Sequence, residues 1–312
     1  MFIKGDAGRL PFADRSFDLV VGSPPYLDSR LYLEDGKNLG IARDCRAWIA
    51  WMLVVTAECL RVCKGPVLWV CAGKTKKFCY HPAPEGLIWK WWERGGECHC
   101  LEPVYWHRVG IPGGVSRYWY RSDVERVLLF KRPGRLPYAD PQTNGHPPKW
   151  APGGEMSYRV SDGTRVNKWG AHRGTTGAVR RNVKRESGKR PSHRYSTAEE
   201  LAEAGGKPGS KGYNPPPLAN PGNLLHINVG GGLMGHQLAH KNEAPYPVKL
   251  PAFFIRSHCP PGGLVLDPFS GSASTVQAAL ELGRHAVGCD IRQSQCVLGR
   301  QRIQTELPLS AS

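Results

Sequence analysis

Acid is scarce in this sequence. Only 26 Asp and Glu stand against 42 Lys and Arg among 312 residues, a formal net charge of +16 and a pI of about 9.6. That balance favours an acidic polymer as partner, with nucleic acid the leading candidate, over a basic tail that merely aids solubility. Long apolar runs are absent. None reaches the ~18 residues needed to cross a bilayer, so no spanning helix is expected. The opening residues MFIKGDAG lack the apolar core of a secretory leader. The ten cysteines include no CxxC pair, which sets aside the common zinc and dithiol motifs and reads as reduced thiols in a cytoplasmic protein. Cys98, His99 and Cys100 fit no common zinc module, and no metal is expected. No internal repeat is visible.

What the sequence does contain is an alternation of strand-like and helix-like stretches. Residues 17–21 (FDLVV) are a short β-branched run that stops at Gly22 and two prolines, which predicts a buried strand. Residues 46–63 are too long for a strand. Their apolar spacing predicts a mostly buried helix, ended by Lys64-Gly65-Pro66. Residues 67–71 and 124–130 predict two further strands. Near Arg132 the texture changes. From there to about Asn242 Gly, Pro, Arg, Lys and Asn dominate, and residues 131–216 hold 17 Lys and Arg against 7 Asp and Glu. Only 196–204 reads as a helix, with Thr197 and Glu200 at capping-box spacing. The rest reads as loop, whose charge favours a function over a passive linker. From Pro245 the alternation returns, with strands at 264–266 and 285–288 and helices at 275–282 and 294–304. The pattern predicts an α/β fold: a mostly parallel sheet, helices on both faces, assembled from the two chain ends around a basic insertion.

Two motifs carry chemistry. Ser23-Pro24-Pro25-Tyr26 directly follows a predicted buried strand, where ligands of open α/β sheets bind. The prolines stiffen the turn. A stiff turn can aim Ser23 Oγ and the Pro24 carbonyl at one point, where two acceptors grip the N–H groups of an amine. The exocyclic amine of a base is a poor nucleophile because its lone pair is delocalised into the ring; such a grip frees that pair. Tyr26 can stack on the base. The competing reading is a Pro-Pro turn with a buried tyrosine. The second motif, residues 264–274 (LVLDPFSGSAS), is a strand, an acid and small residues opening a helix, a pattern that admits a ligand against the backbone. Asp290, about twenty residues on, can accept from ribose hydroxyls. The competing reading is an ordinary strand–helix turn, with Asp290 as a helix cap. Five tryptophans, Trp48, Trp51, Trp89, Trp91 and Trp92, are read as core or surface packing before stacking platforms. His81, His107 and His172 have no spacing that suggests a metal or a general base.

In these residues the chain resembles the beta-class SPPY-type amino-methyltransferases of bacterial and phage DNA modification. Residues 23–26 match the catalytic motif of that family, and 267–272 match the start of its DPFxGSGTT cofactor motif. The lead-in LPFADRSFDLVV, the segment 245–255 and Gly288-Cys289-Asp290 also match, with Asp290 where the family usually has Glu. Where the family has Gly-Thr-Thr this chain has Ala273-Ser274-Thr275. The resemblance implies a Rossmann-like, circularly permuted methyltransferase fold. It divides into a catalytic half (1–132), an inserted target-recognition region (133–242) and a cofactor-binding half (243–312). It implies S-adenosylmethionine held by Asp6, Asp267, Pro268, Phe269, Gly271, Ser272, Ser274 and Asp290, and catalysis by Ser23, Pro24, Pro25 and Tyr26. Double-stranded DNA is the implied partner, contacted by Arg30, Arg117, Arg180, Arg181, Lys184 and Arg185. Trp106, Tyr118 and Trp119 lie where the family contacts its target base. The cell implied is bacterial or phage-infected. Because ring carbon is not attacked, no cysteine nucleophile is needed. Ser23 at the first motif position favours cytosine N4 over adenine N6. A decayed cofactor site in a DNA-binding protein, and methylation of RNA or a protein amine, are the alternatives.

Overall fold

The computed structural model describes residues 1–27, 33–34, 37–38, 44–94, 99–110, 118, 120–147, 157–159, 165–167, 218–229, 237–242 and 244–306. The chain divides into two compact units, Met1–Asn144 with Gly222–Ser312, and Gly145–Pro221. In the second unit the described residues contain an antiparallel pair, Ser157–Arg159 with Arg165–Asn167, and a bridge between His146 and Ala219. The helix expected at 196–204 lies outside the described residues.

The first unit is built on an eight-stranded sheet. Its strands in chain order are β1 (Phe2–Lys4), β2 (Leu19–Gly22), β3 (Val67–Cys71), β4 (His99–Val109), β5 (Val124–Lys131), β6 (Leu224–Asn228), β7 (Leu264–Asp267) and β8 (His285–Asp290). Across the sheet the order is β1-β8-β7-β2-β3-β5-β4-β6. Strands from β1 to β3 pair in parallel, β5 is antiparallel to both β3 and β4, and β6 is parallel to β4. The N-terminal and C-terminal parts of the chain therefore interleave, with β7 and β8 between β1 and β2. The observed strands at 19–22, 67–71, 124–131, 264–267 and 285–290 overlap the apolar runs that predict them, the first beginning two residues later than expected. The basic segment is not uniformly irregular. Residues 133–144 and 222–242 belong with the sheet unit, and 224–228 is a strand of it.

Among the described residues five α-helices cover the sheet: α1 (Cys45–Val62), α2 (Ala83–Glu93), α3 (Lys249–His258), α4 (Ser274–Glu281) and α5 (Gln293–Glu306). Helix α1 starts where Asp44 caps it, its carboxylate accepting from Ala47 N at 3.0 Å. Most of its buried positions, Trp48, Met52, Val55, Thr56, Cys59 and Leu60, recur at i, i+4, i+7, i+8, i+11 and i+12, one face of a helix. The strands feed two cores because successive side chains point to opposite faces. Val20, Val67 and Trp69 pack with α1 and α2 on one side. Leu19, Val21, Leu68 and Val70 pack with α3 and α4 on the other. That arrangement explains why the central strands are apolar at every position rather than at every second one. Described cysteines are all free thiols.

Candidate active site

The two sequence motifs meet at the carboxyl ends of β2 and β7. Gly22 marks the contact: a Cβ there would lie 2.9 Å from Asp267 Oδ1 and 3.3 Å from Pro268 Cδ. Only glycine lets the two strand ends approach this closely. Above them opens a cavity of about 400 Å³, within the size range of small-molecule sites. Ser23, Pro24, Pro25 and Tyr26 form one part of its wall. Asp6, Pro268, Phe269, Gly271, Ser272, Ser274 and Asp290 form another. Eleven of the twelve residues assigned from sequence to catalysis and cofactor thus reach one space.

Asp267 is the twelfth, and it does not line the cavity. It is 1% exposed. Its Oδ1 accepts from Phe269 N at 3.0 Å and its Oδ2 from Tyr246 Oη at 3.2 Å. Tyr246 Oη also bonds Thr275 Oγ1. Burial pushes the Asp267 carboxyl up to about 7, against the pull of those hydrogen bonds. Asp267 therefore ties the start of the loop to Tyr246 from behind the cavity lining. Asp290 both faces the cavity and braces it. Oδ2 accepts from Gly271 N at 3.0 Å and Oδ1 from Arg292 N at 2.9 Å. Oδ1 also faces Arg292 Nε at 3.6 Å, and Oδ2 has lone-pair capacity beyond its bond to Gly271 N. Burial raises its carboxyl above the ordinary value, offset by its hydrogen bonds with Arg292 and Gly271.

The loop into α4 is strained where the sequence departs from the family. Ala273 holds φ +69°, in the left-handed region where a glycine would sit without penalty. The departure is accommodated in the left-handed conformation, with the Ala273 methyl fully buried. From the far side Arg302, 0% exposed, donates through Nη1 to Ser272 O at 2.7 Å and Ser274 Oγ at 3.2 Å.

At the other wall, Ser23 Oγ donates its proton to Val70 O at 3.1 Å. With its hydrogen committed, the hydroxyl presents acceptor lone pairs. Trp48 Nε1 donates to Pro25 O at 2.8 Å, pinning the motif to α1. Tyr26 has a divided environment. Its ring lines the cavity, while its hydroxyl is buried and donates to Glu125 Oε2 on β5. Burial, then the Glu125 charge, raises the phenol well above its usual value, so it stays protonated. Glu125 is 5% exposed and ion-pairs with Arg108 Nη1 on β4 at 2.8 Å.

Sequence reasoning missed this support. Glu125 sits inside an otherwise apolar strand, and a lone acid between Val124 and Arg126 carries no motif. Trp48 and Trp91 are core residues as expected, Trp51 reaches the cavity, and Trp89 and Trp92 are exposed. Trp51 meets the Phe269 ring edge-on at 5.8 Å. Trp106 is buried in the sheet, donating to Ile227 O at 3.1 Å, and does not line the cavity. His107 does have a partner: its Nδ1 lies 2.9 Å from His226 Nδ1, a pairing across β4 and β6 that no linear spacing reveals. Arg30, Arg117, Trp119, His172, Arg180, Arg181, Lys184 and Arg185 lie outside the described residues. Among the described residues no group of three or more His, Cys, Asp or Glu could hold a metal, and no helix is long and apolar enough to cross a membrane.

The cavity fits S-adenosylmethionine in chemistry. Asp290 offers acceptors, Phe269 and Trp51 offer aromatic surface, and Ser270 Oγ is buried at the wall with no partner of its own. An orphaned buried hydroxyl is costly unless something fills its bond.

Comparison with known proteins bears on family and fold. The N6/N4 methylase profile, described as DNA methylase, matches residues 17–300. Type II methyltransferase M.MjaI of Methanocaldococcus jannaschii is 39% identical over 59 residues, 19% of this chain and 20% of that protein. M.MjaII of the same organism is 28% identical over 65 residues, 21% of this chain and 12% of that protein. These matches therefore span a fifth or less of either relative. Among solved structures, the cytosine-N4-specific PvuII DNA methyltransferase superposes with a TM-score of 0.58 at 18% identity, covering 100% of this chain and 88% of that one. TTHA0409 of Thermus thermophilus, a DNA modification methylase by name, superposes at 0.55 with 19% identity, covering 99% and 96%. It has also been solved with S-adenosyl-L-methionine, at a TM-score of 0.53. At these identities the likeness is one of fold.

Proposed function

The chain belongs to the N6/N4 DNA methylase family, and from that premise we propose that it methylates the exocyclic N4 of cytosine in double-stranded DNA. The observation that carries the proposal is the meeting of the two motifs on one cavity, lined by both Ser23 and Asp290. S-adenosylmethionine is the cofactor, and when bound it supplies an activated methyl group on sulfur. Asp290, Phe269, Gly271 and Ser272 are the residues that would hold it, with Asp6 also in the lining.

The rest of the work falls to positioning. The target base must leave the duplex to reach so recessed a site. The Tyr26 ring, fixed by its hydroxyl bond to Glu125, offers a flat face to the base. Ser23 Oγ, its own proton held by Val70 O, accepts an amine hydrogen. The Pro24 carbonyl provides the second acceptor, since that of Pro25 is taken by Trp48. Gripping both hydrogens favours the pyramidal amine with its lone pair free. The surplus proton leaves after transfer, and no strong base is required.

Cytosine is favoured because Ser23 stands at the motif position that resembles the N4-cytosine enzymes. Adenine N6 is the second reading, because a serine hydroxyl can serve either amine. Arg30, Arg117 and the basic cluster Arg180, Arg181, Lys184 and Arg185 would supply phosphate and base contacts within the target-recognition segment 133–242 and its surroundings. The test is methylation of mixed-sequence DNA followed by nucleoside mass spectrometry. N4-methylcytosine without N6-methyladenine is the expected product. N6-methyladenine alone would overturn the base assignment, and no methylated base would overturn the activity.

A further inference from the structure

Beyond β3 the chain forms a small hairpin whose sequence does not suit its geometry. Lys74–Lys76 pairs antiparallel with Cys79–His81, leaving Lys77 and Phe78 as a two-residue turn. Both turn residues have positive φ, 49° and 63°. Such turns favour Asn-Gly, which tolerates that backbone. Here the second position instead holds a phenylalanine that is 73% exposed. Local backbone preference does not explain a large apolar residue in such a turn. The exposed Tyr118 ring lies edge-on to it at 5.3 Å.

The base of the hairpin is built firmly. Tyr80 closes over Gly73, where a Cβ would lie 2.2 Å from the Tyr80 hydroxyl. That hydroxyl donates to Glu85 at 3.0 Å, and Glu85 pairs with Arg126 on β5 at 2.5 Å. The hairpin leaves the same sheet end as the catalytic motif: Ser23 bonds Val70 O, and Lys74 follows four residues later, at most ~14 Å of extended chain. Three lysines, Lys74, Lys76 and Lys77, and no acid fall between 74 and 84.

We propose that the 74–81 hairpin is a duplex-DNA contact, its lysines on phosphates and Phe78 an apolar wedge pressed into the base stack beside the extruded base. Apolar wedges of this kind unstack a duplex step in other DNA-binding proteins. The charge complements DNA, and the rigid base fixes the hairpin at the sheet end that carries the catalytic motif. This inference rests on the DNA-methylating reading above.

Two variants test it on the full chain with mixed-sequence DNA and labelled cofactor. Phe78→Gly relieves the strained φ, so its melting temperature should equal or exceed the parent's. Its methylation of duplex should fall at least about fivefold, the loss that one stacking interaction carries. Its methylation of heat-denatured single strands should stay within about twofold, because no duplex needs opening. Replacing Lys74, Lys76 and Lys77 by Gln should flatten the dependence of log K on log salt by about 0.9 for each phosphate no longer neutralised. Equal activity of Phe78→Gly and the parent on duplex, or equal reductions on both substrates, overturns the wedge. An unchanged salt slope overturns the phosphate pairing. A parent protein that neither binds nor methylates DNA instead overturns the underlying reading, and that failure shows before any variant is made.

Discussion

Removing the Tyr26 hydroxyl while keeping its ring separates two roles that the structure divides between the ends of one side chain. In Tyr26→Phe the ring still lines the cavity, but its bond to Glu125 is gone. A hydrogen bond to a charged group contributes about 1.5–3 kcal/mol. Glu125 keeps Arg108 at 2.8 Å, so it is not orphaned, and the lower figure, about 1.5 kcal/mol, applies. For a unit of this size that lowers the melting temperature by about 3–6 °C. A ring that is present but less firmly held should slow single-turnover methylation by about tenfold or less. Tyr26→Ala also removes the stacking face, about 1–3 kcal/mol more, a further five- to 150-fold. Glu125→Gln keeps an acceptor for the hydroxyl but loses the charge facing Arg108. It should lose stability yet stay closer to the parent in rate than Tyr26→Ala. Thermal melting and rapid-quench methylation read both quantities. If Tyr26→Phe is as slow as Tyr26→Ala, the hydroxyl does chemistry and the anchoring argument is wrong; if it melts with the parent, the Glu125 bond holds nothing.

Other perturbations follow from the same wall of residues. Ser23→Ala should leave cofactor affinity intact and cut turnover by about 2–4 kcal/mol, the usual cost of one preorganised hydrogen bond at the reacting group; near-parental turnover would remove Ser23 from the mechanism. Asp290→Ala should weaken S-adenosylmethionine binding by calorimetry with DNA affinity nearly unchanged. It should also destabilise the protein by about 1–3 kcal/mol, because Gly271 N and Arg292 N lose their acceptor. Asp267 makes a pH prediction. Its folded value, about 7, lies above the ordinary 3.8, so the folded state holds the proton more tightly than the unfolded one. Its contribution is complete below about pH 4 and is lost as pH rises toward 7, by up to about 4 kcal/mol. Asp267→Asn should flatten that fall in denaturant titrations at pH 4, 5.5 and 7.5, and an unflattened fall would place its cause elsewhere.

The sequence showed the strands well because the central ones are buried on both faces, which makes residues 19–21, 67–71 and 264–266 continuous apolar runs. It showed the two motifs because each is a contiguous stretch whose residue types fit one chemistry. What it hid was assembled across distance. Glu125 becomes meaningful only when β5 lies beside β3 and places it under Tyr26. The motif names Asp267, but not the bond that its buried carboxylate accepts from Tyr246, twenty-one residues away. Helix α2 was missed because Pro82 and Pro84 open it, residues that read as loop. Strand β6 was missed because residues 224–228 sit in a basic segment and only their pairing with β4 makes them a strand.

The interleaved sheet also dictates a timetable for folding during synthesis. Strand β2 has its Val20 backbone paired between β3 and β7, but β7 is made roughly 245 residues after β2. At ~5–20 residues per second a ribosome needs about 12–50 s to cover that gap. Throughout it the nascent chain carries an apolar strand with one open edge, a ready template for wrong pairing. The thermodynamic burden of the gap is slight, because closure entropy grows only with the logarithm of loop length. Deleting the roughly 80 residues of the second unit would ease closure by only about 0.3 kcal/mol, yet it would shorten the exposed interval by about a third. The inserted unit therefore weighs on the yield of folded protein through time rather than through stability.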